Sequence, residues 1–148
     1  MELLLATRSA HKVQEIRTIL SAIPRLTVLD LDDIGLEWRD EEEALEPFDT
    51  FEENARSKAE YFHARTGLPT VADDSGLEVD ALGGAPGVRS KRFAPVEGLT
   101  GYKLDHANNN YLVERLGALE PEKRTGQYIC VAALLGLTSQ MIVTRGEA

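Results

Sequence analysis

Short apolar runs alternate with segments of helical periodicity along this chain, and that alternation constrains its fold more than any other feature. Residues 3–6 are apolar throughout, as expected of a strand that is buried on both faces. Apolar residues then recur at helical spacing from Lys12 to Leu20, and a second apolar run follows at 26–31. The order strand, loop, helix, strand is typical of α/β proteins.

The rest of the chain continues this pattern. Thr50 and Glu53 form a capping box, which predicts a helix that ends near Gly67. Further strands are predicted at 70–72, 77–82, 126–137 and 141–144, and a further helix at 104–116. Together these elements predict an α/β fold with a mixed β-sheet.

Length and composition suit a single domain that spans residues 1–148. Of the 148 residues, 43% are hydrophobic and 28% are charged, which is ordinary for a globular protein. The 16 basic and 25 acidic side chains give a net charge of −9. Proteins that bind nucleic-acid polymers usually present a basic face, so we expect no nucleic-acid partner. A small phosphorylated ligand is compatible with this charge.

The sequence contains no segment suited to a membrane. No apolar run approaches the roughly 18 residues of a spanning helix, and the first residues lack the layout of a signal peptide. We therefore expect a cytoplasmic protein with no membrane partner. The single cysteine, Cys130, excludes an internal disulfide, and its place in the apolar run 129–135 predicts a core position.

Carboxylates are the side chains best able to hold a metal ion in this chain. Three histidines and one cysteine give no credible zinc site. Oxygen ligands favour Mg²⁺ or Mn²⁺. The chain has an acidic run at 40–43, followed by Glu46 and Asp49, and such a run is usually a solvated loop.

The loop between the first strand and the first helix has features of an anion site. Thr7, Ser9 and Lys12 flank the start of a helix, where backbone N–H groups and the helix dipole favour negative charge. The Gly-x4-Gly-Lys spacing of a Walker A loop is absent. The alternative interpretation is a capped turn that carries a surface lysine.

Two adjacent aspartates follow the predicted strand at 70–72. In the segment Asp73-Asp74-Ser75-Gly76, neighbouring side chains at a strand end point to opposite sides, so only one carboxylate can face a given cleft. The other is expected to bond backbone amides and fix a turn. A divalent cation would offset the repulsion between the two carboxylates. The alternative is an ordinary Asx turn.

Basic side chains outside the first loop are further candidates for phosphate contact. Lys58 lies one turn after Asn54 on the capped helix, and both could face the same cleft. Arg89, Lys91 and Arg92 follow a glycine-rich loop, and arginine suits bidentate phosphate contact. The alternative is that these cations are simply solvated. In combination with the acidic residues, they suggest metal-assisted attack on a phosphoric anhydride.

Four segments of the chain resemble the inosine triphosphate pyrophosphatases, which are also described as house-cleaning dITP/XTP pyrophosphatases. The segments are LLLATRSAHKVQEI at 3–16, TFEENARSKA at 50–59, PTVADDSGLEVDALGGAPGVRSKRF at 69–93 and, more loosely, DHANNNYLVERL at 105–116. The third segment is highly specific to the family. The resemblance implies an elongated mixed β-sheet flanked by helices, with two lobes around a central cleft. It also implies Mg²⁺-dependent hydrolysis of ITP, dITP and XTP to the monophosphate and pyrophosphate, by a homodimer.

The resemblance implies roles for individual residues. Asp74 resembles the general base and a metal ligand. Glu46, just ahead of the TFEENA motif, resembles the second metal ligand, with Glu43 as the other register. The remaining residues resemble substrate contacts, six of them in the triphosphate-binding loop: Thr7, Arg8, Ser9, Ala10, His11 and Lys12, together with Lys58 and Ser75.

Two departures from the family pattern affect these expectations. Ser9 stands where the family usually has asparagine, so a hydroxyl replaces one side-chain amide. The family's later segments, aromatic-Gly-Tyr-Asp and Ser-His-Arg, hold the purine base and have no counterpart after Thr144. We therefore expect a pyrophosphatase domain that lacks its C-terminal base-binding segment.

Three functional interpretations follow from these patterns. The first, which we favour, is a purine nucleoside triphosphate pyrophosphatase that cleanses the nucleotide pool. The second is a truncated, catalytically weak module that binds phosphates or pairs with a partner through its final strand. The third is a different phosphohydrolase with relaxed base choice. Release of pyrophosphate from ITP, XTP or dITP separates an enzyme from a binding module.

Overall fold

A five-stranded sheet is the framework of the protein, as described by a computed structural model of all 148 residues. The strands lie in the order β2-β1-β3-β4-β5. Their bounds are β1 Glu2–Leu5, β2 Thr27–Asp30, β3 Thr70–Val79, β4 Gly126–Leu135 and β5 Ile142–Glu147. The helices are α1 Ala10–Leu20, α2 Phe51–Thr66 and α3 Gly101–Leu116, and short 3-10 segments lie at 40–44, 80–82, 87–92 and 121–123.

The sheet is mixed, as the sequence predicted. Strand β1 pairs in parallel with both β2 and β3. Tyr128 of β4 and Ala148, just after β5, exchange both of their backbone hydrogen bonds, which is typical of an antiparallel pair. The expected α/β class is therefore confirmed.

The chain divides into two compact units. The first unit comprises residues 1–74 and 131–145, and the second comprises 75–130 and 146–148. Strands β3, β4 and β5 each contribute residues to both units. No helix combines the length and the apolar character needed to cross a membrane.

The core of the first unit forms around β1. Strand β1 has a neighbouring strand on each side, and its apolar residues are buried, as predicted for a strand covered on both faces. Helix α2 buries one stripe, and the buried side chains of these two elements are Leu3, Leu4, Leu5, Phe51, Ala55, Ala59 and Phe62. Helix α1 has no fully buried residue, and Ile19 is 72% exposed, so its apolar stripe is covered less than its spacing suggests.

Strand β3 differs from the prediction. The sequence suggested a strand at 70–72, a turn at 73–76 and a second strand at 77–82, whereas the structure has one continuous strand from Thr70 to Val79. The turn interpretation assumed that an aspartate would bond local backbone amides. The Asp73 and Asp74 side chains instead have partners on α1 and α2, so the backbone stays extended. A 3-10 turn at 80–82 replaces the end of the predicted second strand.

The second unit is organised by a buried asparagine. Asn108 of α3 accepts hydrogen bonds from the backbone N–H groups of Phe93 and Ala94, at 3.1 and 2.9 Å, and so ties the preceding loop to the helix. The predicted core position of Cys130 is wrong, because this residue is exposed. Ile129 and Val131 on either side are buried, so the strand alternates and the cysteine lies on the other face.

We predict that Gly136→Ala destabilises the first unit. Gly136 has φ of +95°, in the left-handed region that favours glycine, and an added Cβ would lie 2.6 Å from His63 Cε1 and 3.2 Å from Pro69 Cα. The His63 ring is held by a 2.7 Å contact between its Nδ1 and the carbonyl oxygen of Leu68, so it has little room to move away. The free energy of unfolding in urea should fall by about 1–3 kcal/mol.

The matched control is Gly146→Ala in β5. A Cβ at Gly146 would have no atom within 4 Å, and its φ lies outside the left-handed region. The control should therefore unfold at the same urea concentration as the wild type. Equal losses of stability at the two positions would contradict the steric explanation.

Candidate active site

The loop between β1 and α1 carries the predicted anion site. Ser9 is the N-cap of α1: its Oγ accepts a long hydrogen bond from the Lys12 backbone N–H, at 3.5 Å, and its own N–H donates to Thr7 Oγ1 at 3.2 Å. The helix begins at Ala10 rather than at Lys12, because Ser9 provides the cap earlier in the chain. No acidic residue lies in the first turn, so no carboxylate of this helix competes for the N-terminal amides.

Lys12 reaches from this loop to the first of the two aspartates. The parallel pairing of Leu4 with Thr70 and of Leu5 with Val71 places the loop after β1 beside the residues of β3 that follow Val71. Lys12 Nζ donates to Asp73 Oδ2 at 2.5 Å, and the Asp73 side chain is only 9% exposed. Asp73 therefore orients a lysine, which corrects the expectation that it would bond backbone amides in a turn.

Asp74 points to a different partner, as the alternation of side chains along a strand requires. Its Oδ2 accepts a 2.9 Å hydrogen bond from Asn54 Nδ2, and Asn54 is fully buried on α2. The Asn54 amide also bonds the backbone N–H and carbonyl of Phe48, which fixes its orientation. Burial raises the pKa of the Asp74 carboxyl, against the lowering effects of Asn54 and Lys58; the charge of Glu46 raises this pKa further.

Lys58 joins the acidic segment to the aspartates. Its Nζ donates to Glu46 Oε1 at 2.5 Å and also to the backbone carbonyl oxygen of Asp73. Lys58 is placed there by α2, whose start is fixed by the predicted capping box: Thr50 Oγ1 accepts from the Glu53 N–H at 3.2 Å and donates to the Glu53 carboxylate at 2.6 Å. The first unit thus brings Lys58 and Glu46 to the same place as the two aspartates.

The two candidate metal ligands suit Mg²⁺ in their donor chemistry. Glu46 and Asp74 supply carboxylate oxygens from different segments, and they are close enough for the charge of Glu46 to raise the pKa of Asp74. A cation between them would offset that repulsion. No group of three or more acidic, histidine or cysteine side chains is arranged for a metal. Mg²⁺ commonly takes only one or two carboxylates and completes its shell with water and phosphate oxygens, so two ligands fit.

The other predicted contacts lie at or near these groups along the chain. Thr7 is half-buried, whereas Ala10 and His11 are exposed in the first turn of α1. Arg8 is held by an ion pair with Glu42, at 2.9 Å. Ser75 follows Asp74 in β3 and is half-buried.

Sequence reasoning missed the inward orientation of one residue in the acidic run. The run was expected to be solvated, and its residues Asp40, Glu41 and Glu43 are exposed. Glu42 is different, because its side chain is only 6% exposed and is paired with Arg8 and Arg65. Nothing in a row of four acidic residues indicates which of them turns inward.

A cavity of about 460 Å³ lies beside the same loop. It is lined by residues of α1 and of the segment around the end of β2, among them Thr7, Arg17 and Asp32. Neither Lys12 nor the two aspartates line it. Thr7, Arg8 and Ala10 of the predicted triphosphate-binding loop therefore face this cavity, whereas Lys12 of the same loop does not.

Comparison with known proteins places this geometry in a family. Residues 3–148 match the model of the Ham1 family. The chain is 42% identical over 147 residues to a dITP/XTP pyrophosphatase of Frankia alni, covering 99% of this chain and 70% of that protein. It is 41% identical over 147 residues to a dITP/XTP pyrophosphatase of Mycolicibacterium paratuberculosis, covering 98% of this chain and 67% of that protein.

Solved structures agree with this assignment. The Ham1 protein of Staphylococcus aureus superposes with a TM-score of 0.78 at 30% identity, covering 100% of this chain and 70% of that one. A nucleoside-triphosphatase, or dITP/XTP pyrophosphatase, of Mycobacterium abscessus gives a TM-score of 0.74 at 32% identity, covering 99% and 72%. The chain thus spans about seven tenths of these relatives, and it belongs to the Ham1 family.

Proposed function

We propose that this chain is a nucleoside triphosphate pyrophosphatase that hydrolyses ITP, dITP and XTP to the monophosphate and pyrophosphate. The observation that carries the proposal is the convergence, within the first unit, of Lys12 and Lys58 with Asp73, Asp74 and Glu46. Its membership of the Ham1 family, and its similarity to dITP/XTP pyrophosphatases, support the same substrate class. In a cell this reaction would remove noncanonical purines from the nucleotide pool of the cytoplasm.

Substrate phosphates would bind at the start of α1. The N-terminal amides of the helix and the positive end of its dipole favour an anion there, and Thr7 and Ser9 add hydroxyl groups. Lys12 extends from the same turn, and its ammonium is held by Asp73. Lys58 has three N–H donors, of which two are directed at Glu46 and the Asp73 carbonyl, so one is left for a phosphate oxygen.

Asp74 is the proposed general base. Its carboxylate would take a proton from water as the water oxygen attacks the α-phosphorus, and the bond from that phosphorus to the bridging oxygen would break to release pyrophosphate. Burial raises the pKa of Asp74, which makes it a better proton acceptor than an exposed aspartate. Asn54 holds one carboxylate oxygen and thereby orients the other.

Mg²⁺ is the proposed cofactor, with Glu46 and Asp74 as its ligands from the chain. When bound, such an ion neutralises phosphate charge and stabilises the departing pyrophosphate. We also propose a homodimer, as the resemblance of the four segments to the pyrophosphatase family implies. Static light scattering on the purified chain measures this association directly.

The decisive experiment measures pyrophosphate release from ITP, XTP, dITP and ATP in the presence of Mg²⁺. We expect turnover of the first three, and we expect Asp74→Asn to lower kcat by at least about 100-fold, the usual contribution of a general base. Binding of the triphosphates without turnover by the wild type would instead favour a phosphate-binding module. Near-normal turnover by Asp74→Asn would exclude Asp74 as the base.

The melting temperature of Asp74→Asn tests whether the expected loss of turnover comes from unfolding. Because burial raises the pKa of Asp74 in the folded protein, its contribution to stability is present at acidic pH and is lost as the pH rises through that pKa. At neutral pH the charged carboxylate is therefore unfavourable, and asparagine avoids this cost. In EDTA, Asp74→Asn should melt at a higher temperature than the wild type at pH 8, and the difference should shrink towards pH 4.

Lys12→Ala should raise the KM for the triphosphate. The substitution removes a cation that is 20% exposed at the start of α1, and charged hydrogen bonds of this kind support a rise of about tenfold or more. Lys103→Ala, an exposed lysine on α3, is the matched control. If both variants keep the KM of the wild type, Lys12 is a structural partner of Asp73 and not a phosphate contact.

A further inference from the structure

The guanidinium of Arg8 is already engaged, although Arg8 lies within the predicted triphosphate-binding loop. Its Nε donates to Glu42 Oε2 at 3.0 Å and its Nη2 to Glu42 Oε1 at 2.9 Å, which is a bidentate fork. Its Nη1 donates to the backbone carbonyl oxygen of Leu36 at 2.9 Å. Two nitrogens of this side chain are therefore directed at Glu42 of the acidic run, and the third is directed at the segment that leads into the run.

Glu42 is shared between two arginines. Its carboxylate also accepts from Arg65 Nη1 at 3.2 Å and from the backbone N–H of Arg39 at 3.3 Å. Arg65 comes from the last turn of α2, and its guanidinium lies 5.4 Å from the centre of the Tyr61 ring. One buried carboxylate thus connects the loop before α1, the acidic segment and the end of α2.

This cluster differs from an ordinary surface ion pair. Exposed pairs contribute little, whereas the side chains of this cluster are partly or largely buried: Glu42 is 6% exposed, Arg65 14% and Arg8 32%. Removing the carboxylate would leave two cations facing each other with neither compensated. The Glu42 hydrogen bond also raises the pKa of Arg8, which agrees with a strong pairing.

Both segments that Glu42 joins carry residues of the proposed site. The loop that contains Arg8 continues into Lys12, and the segment that contains Glu42 continues to Glu46. We propose that Glu42 is a positioning residue, whose bonds to Arg8 and Arg65 set the spacing between the phosphate-binding loop and the segment that supplies Glu46. Arg8 then acts through this cluster rather than as a direct phosphate contact. The inference rests on the proposed function, since it concerns that same site.

The test compares Glu42→Gln, Arg8→Lys and the double variant. Arg8→Lys keeps a cation that could bind phosphate but loses the bidentate fork. If the cluster positions the loops, each single substitution should raise the KM for XTP about tenfold with a smaller change in kcat, and the double variant should be no worse than either, as for residues of one network. Asp40→Asn, an exposed neighbour in the same segment, is the matched control and should behave as the wild type.

Other outcomes overturn the inference. An unchanged KM in Glu42→Gln shows that the carboxylate is not needed to position the two segments. A normal KM in Arg8→Lys assigns Arg8 a role that needs only its charge. If the two single changes in KM add up in the double variant, Glu42 and Arg8 act independently, and the shared positioning role is wrong. Circular dichroism at the assay temperature shows whether each variant is folded, and Arg8→Lys alone decides the question if Glu42→Gln does not fold.

The outcome for the proposed function stays separate. A wild type that releases no pyrophosphate contradicts that function. The affinity for inorganic triphosphate with Mg²⁺, measured by calorimetry, then replaces KM as the readout in four proteins: the wild type, the two single variants and the double variant. Weaker affinity in both single variants, without additivity, supports the positioning role. Affinity equal to that of the wild type, or no affinity in any of the four proteins, overturns it.

Discussion

The parallel pairing of β1 with β3 is the constraint on which the candidate site depends. Its register, Leu4 with Thr70 and Leu5 with Val71, places the loop after β1 beside the aspartates of β3. The 2.5 Å bond from Lys12 to Asp73 follows from that placement. A shift of β3 by one residue would turn every side chain to the opposite face, so Lys12 would no longer meet Asp73 and Asn54 would no longer meet Asp74.

Asp74 shows that stability and the proposed chemistry make opposite demands on one residue. Burial raises its pKa, so the charged form is unfavourable in the fold at neutral pH. Asn54, which is fully buried, offsets part of this cost with a single hydrogen bond, and Lys58 lowers the pKa through its charge. A sequence selected for stability alone would place a neutral side chain there. A buried carboxylate with a raised pKa is typical of functional sites.

The parts of the structure that sequence predicted well depend on local signals. The start of α2 is one, because the Thr50 capping box involves only neighbouring residues. Contacts between distant segments were not predictable in this way. The continuity of β3 through Asp73 depends on Lys12 and on the pairing with β1, not on local turn chemistry. The exposure of Cys130 and the burial of the Glu42 side chain likewise depend on which distant segments cover each face. An apolar run or an acidic run in the sequence does not predict which of its residues will be covered.

The pairing of basic with acidic side chains in the first unit limits how strongly its cations attract a triphosphate. Three cations that the sequence suggests for phosphate contact are already paired with carboxylates in the structure: Lys12 with Asp73, Lys58 with Glu46 and Arg8 with Glu42. Such pairing holds the side chains in place, but it cancels much of their attraction for a triphosphate. The net charge of −9 adds no long-range attraction. Under the proposed function, the helix N-terminus and the proposed Mg²⁺ would supply the remaining attraction, so this charge balance favours a metal-complexed triphosphate over the free anion as the ligand.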